Sequence, residues 1–234
     1  MKRSQLSKVT KLIKKYVEEE KEWGETEFVK PKRAQQKVKI AAGMTLEELH
    51  KTIQGCRKCP LGKSRLTAVP GDGNPKAKLL FIGEGPGFDE DHQGLPFIGR
   101  AGQLLTKIIE AMGLKRSDVF IANIVKCHPM IDPSDPEKRG NDRPPQPEEV
   151  EACTPYLDAQ IDIIKPQFIC LLGGSATKAL LKIETGISKV RGEFREYRGV
   201  PVMPTYHPAA LLRDPSLKKD VWNDMKKLMS LMKE

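Results

Sequence analysis

The sequence of 234 residues contains no long apolar run. A membrane helix needs roughly 18 or more consecutive apolar residues, and the apolar stretches here are much shorter. The opening residues, MKRSQLSKVTKLIKK, also lack the apolar core of a secretory signal. We therefore expect a cytoplasmic protein with no membrane partner.

Cysteines are few and odd in number, which argues against a disulfide framework in a reducing compartment and favours metal ligation. Cys56 and Cys59 form a C-x-x-C pair, Cys127 follows a predicted strand, and Cys153 lies early in a predicted helix. Cys170 lies in the apolar run FICLL and is predicted to be a buried hydrophobe. The spacing of the other four leaves zinc, a [4Fe–4S] cluster and unligated thiols all open.

Positive charge is concentrated near the beginning of the chain. The formal net charge is +9, and residues 1–40 contribute +6 of it, with 12 Lys and Arg against six Glu. This excess predicts a polyanionic partner. Apolar residues at helical spacing predict an amphipathic helix over 5–22, followed by a polar linker over 23–43. The basic arm 1–43 is open to two interpretations, a solvated or protein-docking helix and an extra DNA contact.

Four short apolar runs alternate with helical patterns over residues 44–234. Such runs are typical of strands buried on both faces of a parallel sheet. The predicted strands are Leu79–Ile82, Val119–Val125, Phe168–Leu172 and Val202–Tyr206. We predict an α/β fold, a three-layer α/β/α sandwich with a four-stranded parallel sheet, plus an N-terminal basic helical arm. The last helix, from about Leu217, is expected to direct Val221, Trp222 and Met225 into the core.

A glycine-rich loop, GEGPGFDEDHQGLPFIGRAG at residues 83–102, follows the first predicted strand. Its glycines allow close backbone approach, and it also supplies carboxylates and the ring of Phe97. Open α/β sheets bind ligands at the carboxyl ends of their strands, so the loop is a candidate site. The third glycine of a dinucleotide fingerprint and the Gly-Lys-Ser/Thr of a P-loop are both missing. A purely structural loop is the alternative.

Two polar residues near predicted strand ends are further candidates. Asn123 near the end of a buried strand is costly unless its amide is paired, so it is either a satisfied structural residue or a ligand reader. His207, followed by Pro208, ends the fourth predicted strand and fits either a turn cap or a site residue. Between them, residues 128–147 are rich in proline and charge, and we predict no regular structure there.

Four segments together resemble the family 4 uracil-DNA glycosylases: the loop 83–102, NIVKC at 123–127, EACTPYL around Cys153, and TYHPAALLR at 205–213. The resemblance covers about residues 44–234. It implies a monomeric enzyme of base excision repair with a [4Fe–4S] cluster. Such an enzyme hydrolyses the N-glycosidic bond of deoxyuridine in single- or double-stranded DNA, releases uracil and leaves an abasic site.

The resemblance also implies roles for individual residues in binding. The implied cluster ligands are Cys56, Cys59, Cys127 and Cys153. The residues implied to border or contact the uracil are Gly83, Gly85, Gly87, Phe97 and Asn123, with Phe97 stacking on the flipped base and Asn123 hydrogen-bonding its Watson–Crick edge.

Three residues are implied to act in catalysis, and three in opening the duplex. Glu84 would border the reacting sugar, Glu90 would be the carboxylate nearest the glycosidic bond, and His207 would face the uracil O2. The segment implied to enter the duplex is Leu211, Leu212 and Arg213, with one of the two leucines as the wedge. These residue types suit the reaction, because a cationic sugar needs nearby negative charge and a uracil anion needs hydrogen-bond donors.

The sequence departs from the family pattern between two of the cysteines. Cys127 and Cys153 are 26 positions apart, wider than is common, and Cys127 is followed by His-Pro where Arg-Pro is usual. A related branch traps uracil covalently through a histidine in a basic loop inserted here, but no histidine accompanies Lys138 and Arg139. The alternatives to a glycosylase are a catalytically silent or covalent uracil-DNA-binding protein and an iron–sulfur protein that uses its cluster for redox or docking.

Overall fold

A computed structural model describes residues 43–233 of the chain. The helix predicted over 5–22 and the linker predicted after it, up to residue 42, lie outside the described residues. No helix within the described range is long and apolar enough to cross a membrane.

A mixed sheet of six strands, in the order β1-β3-β2-β4-β6-β5, forms the centre of the fold. Its four central strands are parallel, and they are β2 (Leu79–Gly83), β3 (Phe120–Asn123), β4 (Phe168–Leu172) and β6 (Val200–Thr205). The edges are β1 (Asp72–Gly73) and β5 (Arg195–Tyr197), both antiparallel to their neighbours. The four predicted strands are present, but the sheet itself is neither four-stranded nor wholly parallel. The edge strands have two and three residues, too short to form an apolar run.

Nine helices and two short 3₁₀ turns connect these strands in the described part of the chain. The helices are α1 (Leu46–Gln54), α2 (Leu61–Ser64), α3 (Phe88–Gln93), α4 (Arg100–Ala111), α5 (Pro147–Ile164), α6 (Gly174–Leu181), α7 (Ile187–Val190), α8 (Pro208–Arg213) and α9 (Lys218–Leu231). The 3₁₀ turns are Arg116–Asp118 and Pro215–Leu217. A capping box begins α1, in which Glu48 N donates to Thr45 Oγ1 at 3.3 Å and Thr45 N donates to Glu48 Oε2 at 2.8 Å.

Apolar side chains cover both faces of the sheet because successive residues of a strand point to opposite sides. In β2, Leu80 and Ile82 join a cluster with residues of α1 and α5, whereas Leu79 and Phe81 join a cluster with residues of α4 and α9. One expectation for α9 is wrong. Trp222 is 37% exposed and lies outside the core, because the buried stripe of this helix runs through Val221, Asp224, Met225 and Leu228.

The register of the parallel strands brings the predicted site residues to one edge of the sheet. Gly83 at the end of β2 is the partner of Asn123 at the end of β3. His207 follows the end of β6 by two residues. Parallel strands end at the same edge, so three distant parts of the sequence meet there.

Candidate active site

Asn123 is fully buried, and neither Oδ1 nor Nδ2 of its amide has a hydrogen-bond partner among the described residues. Leaving a buried polar group unpaired costs about 1–3 kcal/mol. Most buried side-chain polar groups are paired, so an orphaned amide at a strand end calls for an explanation. A ligand edge that presents a donor and an acceptor would satisfy both atoms.

Gly83 allows the amide of Asn123 and the ring of Phe97 to approach each other. A Cβ at Gly83 would collide with the Phe97 ring and would lie 2.5 Å from Asn123 Oδ1. The ring of Phe97 also lies 5.5 Å, centroid to centroid, from the ring of His207. A ring, an unpaired amide and an imidazole therefore surround one small region at the edge of the sheet.

His207 precedes α8 as its N-cap residue, and the backbone N–H of Ala209 donates to its Nδ1 at 3.1 Å. An accepting Nδ1 requires the neutral tautomer with its hydrogen on Nε2. Burial and the positive charge of Arg213 lower the pKa of His207 to about 4. The imidazole is therefore neutral near pH 7, and its Nε2–H is available as a donor.

The two candidate carboxylates have different surroundings. Glu90 Oε1 accepts the backbone N–H groups of Ile98 at 2.9 Å and Gly99 at 3.0 Å, and Oε2 accepts that of Gly87 at 3.2 Å. These bonds fix the orientation of the Glu90 carboxylate. Burial raises the pKa of Glu84, although its hydrogen bond with Ser175 opposes the change. A carboxyl group with a raised pKa is a stronger proton acceptor than an ordinary one.

The structure distinguishes between the two predicted wedge residues. Leu211 is 2% exposed and packs in the core, whereas Leu212 is 41% exposed. Arg213 is exposed as well and ends α8. Only Leu212 of the two leucines is therefore on the surface.

The other two predicted glycines, Gly85 and Gly87, lie in the same glycine-rich loop. Gly85 lies against Val125 and Pro129, and Gly87 lies against the Glu90 carboxylate.

Four cysteines, Cys56, Cys59, Cys127 and Cys153, line one cavity. Cys170 lies in β4 and is fully buried away from that cavity. Within residues 43–233, no group of three or more Cys, His, Asp and Glu side chains is arranged to hold a single metal ion.

Three basic residues, Lys58, Arg65 and Lys126, line the cavity with the cysteines, and sequence reasoning missed all three. Arg65 Nη1 lies 2.9 Å from Cys127 Sγ, and the side chain of Lys126 is buried in the cavity wall. Burial raises the pKa of Cys127 to about 11 and that of Cys153 to about 12, so metal binding would have to displace their protons. Nearby cations favour the thiolate form. In the sequence, the one sign of a buried cation beside the cysteines was Lys126, which lies within an apolar stretch directly before Cys127.

Lys126 also contacts the residue at the end of β3. Its Nζ donates to the backbone carbonyl of Asn123 at 2.8 Å and to Gln160 Oε1 at 2.6 Å. Gln160 Nε2 in turn donates to the carbonyl of Pro70 at 2.6 Å. The cavity wall and the base of the site therefore share one buried network.

The segment 128–147 packs against α3, the helix that carries Glu90. Arg139 Nη1 lies 3.1 Å from Asp89 Oδ1, and its guanidinium lies 4.3 Å from the centre of the Phe88 ring. Glu137 Oε2 lies 3.0 Å from His92 Nε2. Apart from an isolated bridge between Met130 and Asp142 and the first residue of α5, the segment has no helix or strand, as the sequence predicts.

Comparison with known proteins identifies the family of this chain. Residues 70–226 match the family model described as the uracil DNA glycosylase superfamily. A type-4 uracil-DNA glycosylase of Sulfurisphaera tokodaii is 44% identical over 197 residues, which is 80% of this chain and 84% of that protein. The type-4 enzyme of Pyrobaculum aerophilum is 44% identical over 78% of this chain and 92% of its own, and that of Saccharolobus solfataricus is 45% identical over 75% and 81%. The motifs, the site geometry and these relatives agree that the chain belongs to the type-4 uracil-DNA glycosylases within that superfamily.

Proposed function

We propose that the protein removes uracil from DNA by hydrolysing the N-glycosidic bond of deoxyuridine, which leaves an abasic site. The observation that carries this proposal is the unpaired, buried amide of Asn123 beside the ring of Phe97. An amide offers one donor and one acceptor face, which match the Watson–Crick edge of uracil. The names of the type-4 relatives support the same activity.

Base extrusion gives roles to a ring and to an exposed apolar side chain. Flipping a base out of a duplex costs a few kcal/mol. Phe97 would recover part of that cost by stacking on the flipped uracil, and Leu212 would fill the space that the base leaves. Arg213, exposed beside Leu212, would contact a phosphate.

Bond cleavage develops negative charge on uracil and positive charge on the sugar. The Nε2–H of neutral His207 would donate to the uracil O2 and stabilise the leaving anion. The Glu90 carboxylate, oriented by three backbone N–H groups, would contribute negative charge near the sugar. Glu84, whose pKa is raised, would accept a proton from the attacking water. The backbone of Gly83, Gly85 and Gly87 would leave room for the sugar.

The activity is tested with duplex and single-stranded oligonucleotides that contain one uracil, treated with the protein and then with alkali. We expect strand cleavage at the uracil position in both, and none in oligonucleotides with thymine there. Tight binding without cleavage would contradict the proposal and indicate a silent binding protein. A protein–DNA adduct that survives denaturation would indicate covalent trapping instead.

We propose further that Cys56, Cys59, Cys127 and Cys153 hold a [4Fe–4S] cluster. The donor set supports this, because four thiols line one cavity together with basic residues that include Arg65 and Lys126. A cluster with four thiolate ligands is anionic, and Arg65 and Lys126 would compensate that charge. When bound, the cluster would join the segments that carry the four thiolates.

Two cysteine substitutions test the ligand set. Cys56→Ser is expected to lose most of its iron and acid-labile sulfide, because it removes a thiolate ligand. Cys170→Ser is expected to keep both, because Cys170 is buried in β4 outside the cavity. Iron and sulfide per protein chain, measured after anaerobic purification, give the result. Stoichiometric zinc without iron in the unaltered protein would contradict the proposal.

We propose a domain arrangement in which residues 44–234 form a monomeric catalytic domain and residues 1–43 form a basic arm that contacts DNA phosphates. The arm carries most of the net charge of the chain, and each neutralised phosphate steepens the salt dependence of binding. A chain that begins at Gly43 should therefore show a shallower salt dependence of DNA affinity with an unchanged cleavage rate at saturation. An unchanged salt dependence would favour a protein-docking role.

A further inference from the structure

Phe97 has a backbone conformation that few residues with side chains adopt. Its φ is 53°, in the left-handed region, where a bulky residue is an outlier. Such a conformation persists only where the surrounding structure enforces it. Phe97 is 6% exposed, and its ring lies against Gly83 and near the ring of His207.

The side chain of Arg116 binds the backbone carbonyl groups of Pro96 and Phe97. It lies in the 3₁₀ turn that precedes β3, far from the glycine-rich loop in sequence. Its Nη1 donates to the carbonyl of Phe97 at 3.1 Å, and its Nη2 donates to the carbonyl of Pro96. Nη1 also lies 3.5 Å from Thr106 Oγ1 on α4. One planar guanidinium thus spans two successive peptide groups, an arrangement suited to the fixed fork of arginine.

Two further contacts restrain the same backbone from other directions. A Cβ at Gly102 would collide with the carbonyl group of Phe97, so α4 packs directly on that peptide. Glu90 accepts the N–H groups of Ile98 and Gly99. Arg116 is the restraint that acts on the carbonyl oxygens, and its removal would leave Pro96 and Phe97 without these donors.

We propose that Arg116 is a positioning residue that fixes the ring of Phe97 in its stacking place by binding the carbonyls of Pro96 and Phe97. The expected effect of Arg116 on the rate of uracil excision rests on the proposed function. Arg116 acts through Phe97 and does not contact the base. Lysine should replace it poorly, because its ammonium group lacks the fixed planar fork that holds two donors opposite the two carbonyls.

A double-mutant cycle in single-turnover uracil excision tests the inference. Arg116→Lys alone should lower the rate by about 10- to 100-fold, the effect expected when a positioning contact is misplaced. In a Phe97→Leu background the same substitution should change the rate by less than about twofold, because there is no ring left to position. Independent, multiplicative losses, or a normal rate for Arg116→Lys, would overturn the inference. The matched control is Arg195→Lys. Arg195 is an exposed arginine of β5 that pairs with Glu193, which lies before the strand.

Hydrogen exchange gives a readout that does not depend on activity. In Arg116→Lys the amides of Ile98 and Gly99 should exchange at least about tenfold faster than in the unaltered protein, because the loop opens locally more often. The amides of β4 should be unchanged. Equal exchange at Ile98 and Gly99 in both proteins would overturn the inference. If the unaltered protein left uracil in DNA, the proposed function would fail, and this exchange measurement would still decide the role of Arg116.

Discussion

Asn123→Leu is expected to abolish most uracil excision while making the protein more stable. Leucine has nearly the same shape but needs no hydrogen bonds, so it removes two unpaired polar atoms from the interior. Relieving that cost should raise the free energy of unfolding by roughly 1 kcal/mol, or the melting temperature by about 2–4 °C. The single-turnover rate should fall by at least about 10²-fold, because the variant offers the uracil edge no partner.

A second buried asparagine provides the control for this prediction. Asn141 is also buried, but its Nδ2 donates to the carbonyls of Asp132 at 2.7 Å and Asp135 at 3.0 Å, and its Oδ1 accepts the N–H of Asp132 at 2.8 Å. Asn141→Leu should lose stability, because it leaves those groups unpaired. Thermal unfolding and single-turnover rates of both variants give the comparison. A loss of stability in Asn123→Leu would identify Asn123 as a structural residue.

His207→Ala is expected to lower the excision rate by about 10²–10³-fold, the usual effect of losing one donor to a developing anion. Because the pKa of His207 is about 4, the imidazole does not titrate near neutral pH. The rate of the unaltered protein should therefore show no step near pH 6.5, the pKa of an ordinary histidine. Pre-steady-state rates from pH 5 to 8 test this, with the exposed His92 replaced by Asn as the control. A rate that falls as the pH rises through about 6.5, with a step that His207→Ala removes, would show that the cationic form acts.

The same pKa has a consequence for stability. The folded pKa of His207 is lower than the unfolded value, so the unfolded chain binds the extra proton first as the pH falls. The contribution of His207 to stability is complete above about pH 6.5 and is lost as the pH falls towards 4. Protonation of Nδ1 would also remove the acceptor for the N–H of Ala209 at the start of α8.

The central strands and the site that they bring together were predictable, because both depend on local patterns. Apolar runs marked the four parallel strands, and the glycine-rich loop indicated where their ends meet. The helix α3 inside that loop was missed, because its six residues, FDEDHQ, carry no apolar period. Arg116 and Lys126 were missed for another reason. Each donates to a backbone carbonyl, which every residue carries, and their side-chain partners, Thr106 and Gln160, lie 10 and 34 positions away, so no local pattern predicts the pairing.

The two short edge strands affect how this protein behaves in concentrated solution. An exposed strand edge is a template for pairing with another chain, and short or charged edges limit that pairing. Here β1 offers two residues, and β5 offers three, with Arg195 and Glu196 among them. They pair with Phe120 and Ile121 of β3 and with Val200, Pro201 and Val202 of β6. In the described part of the chain the sheet therefore ends in short strands, one of them charged, which should limit its growth by strand addition.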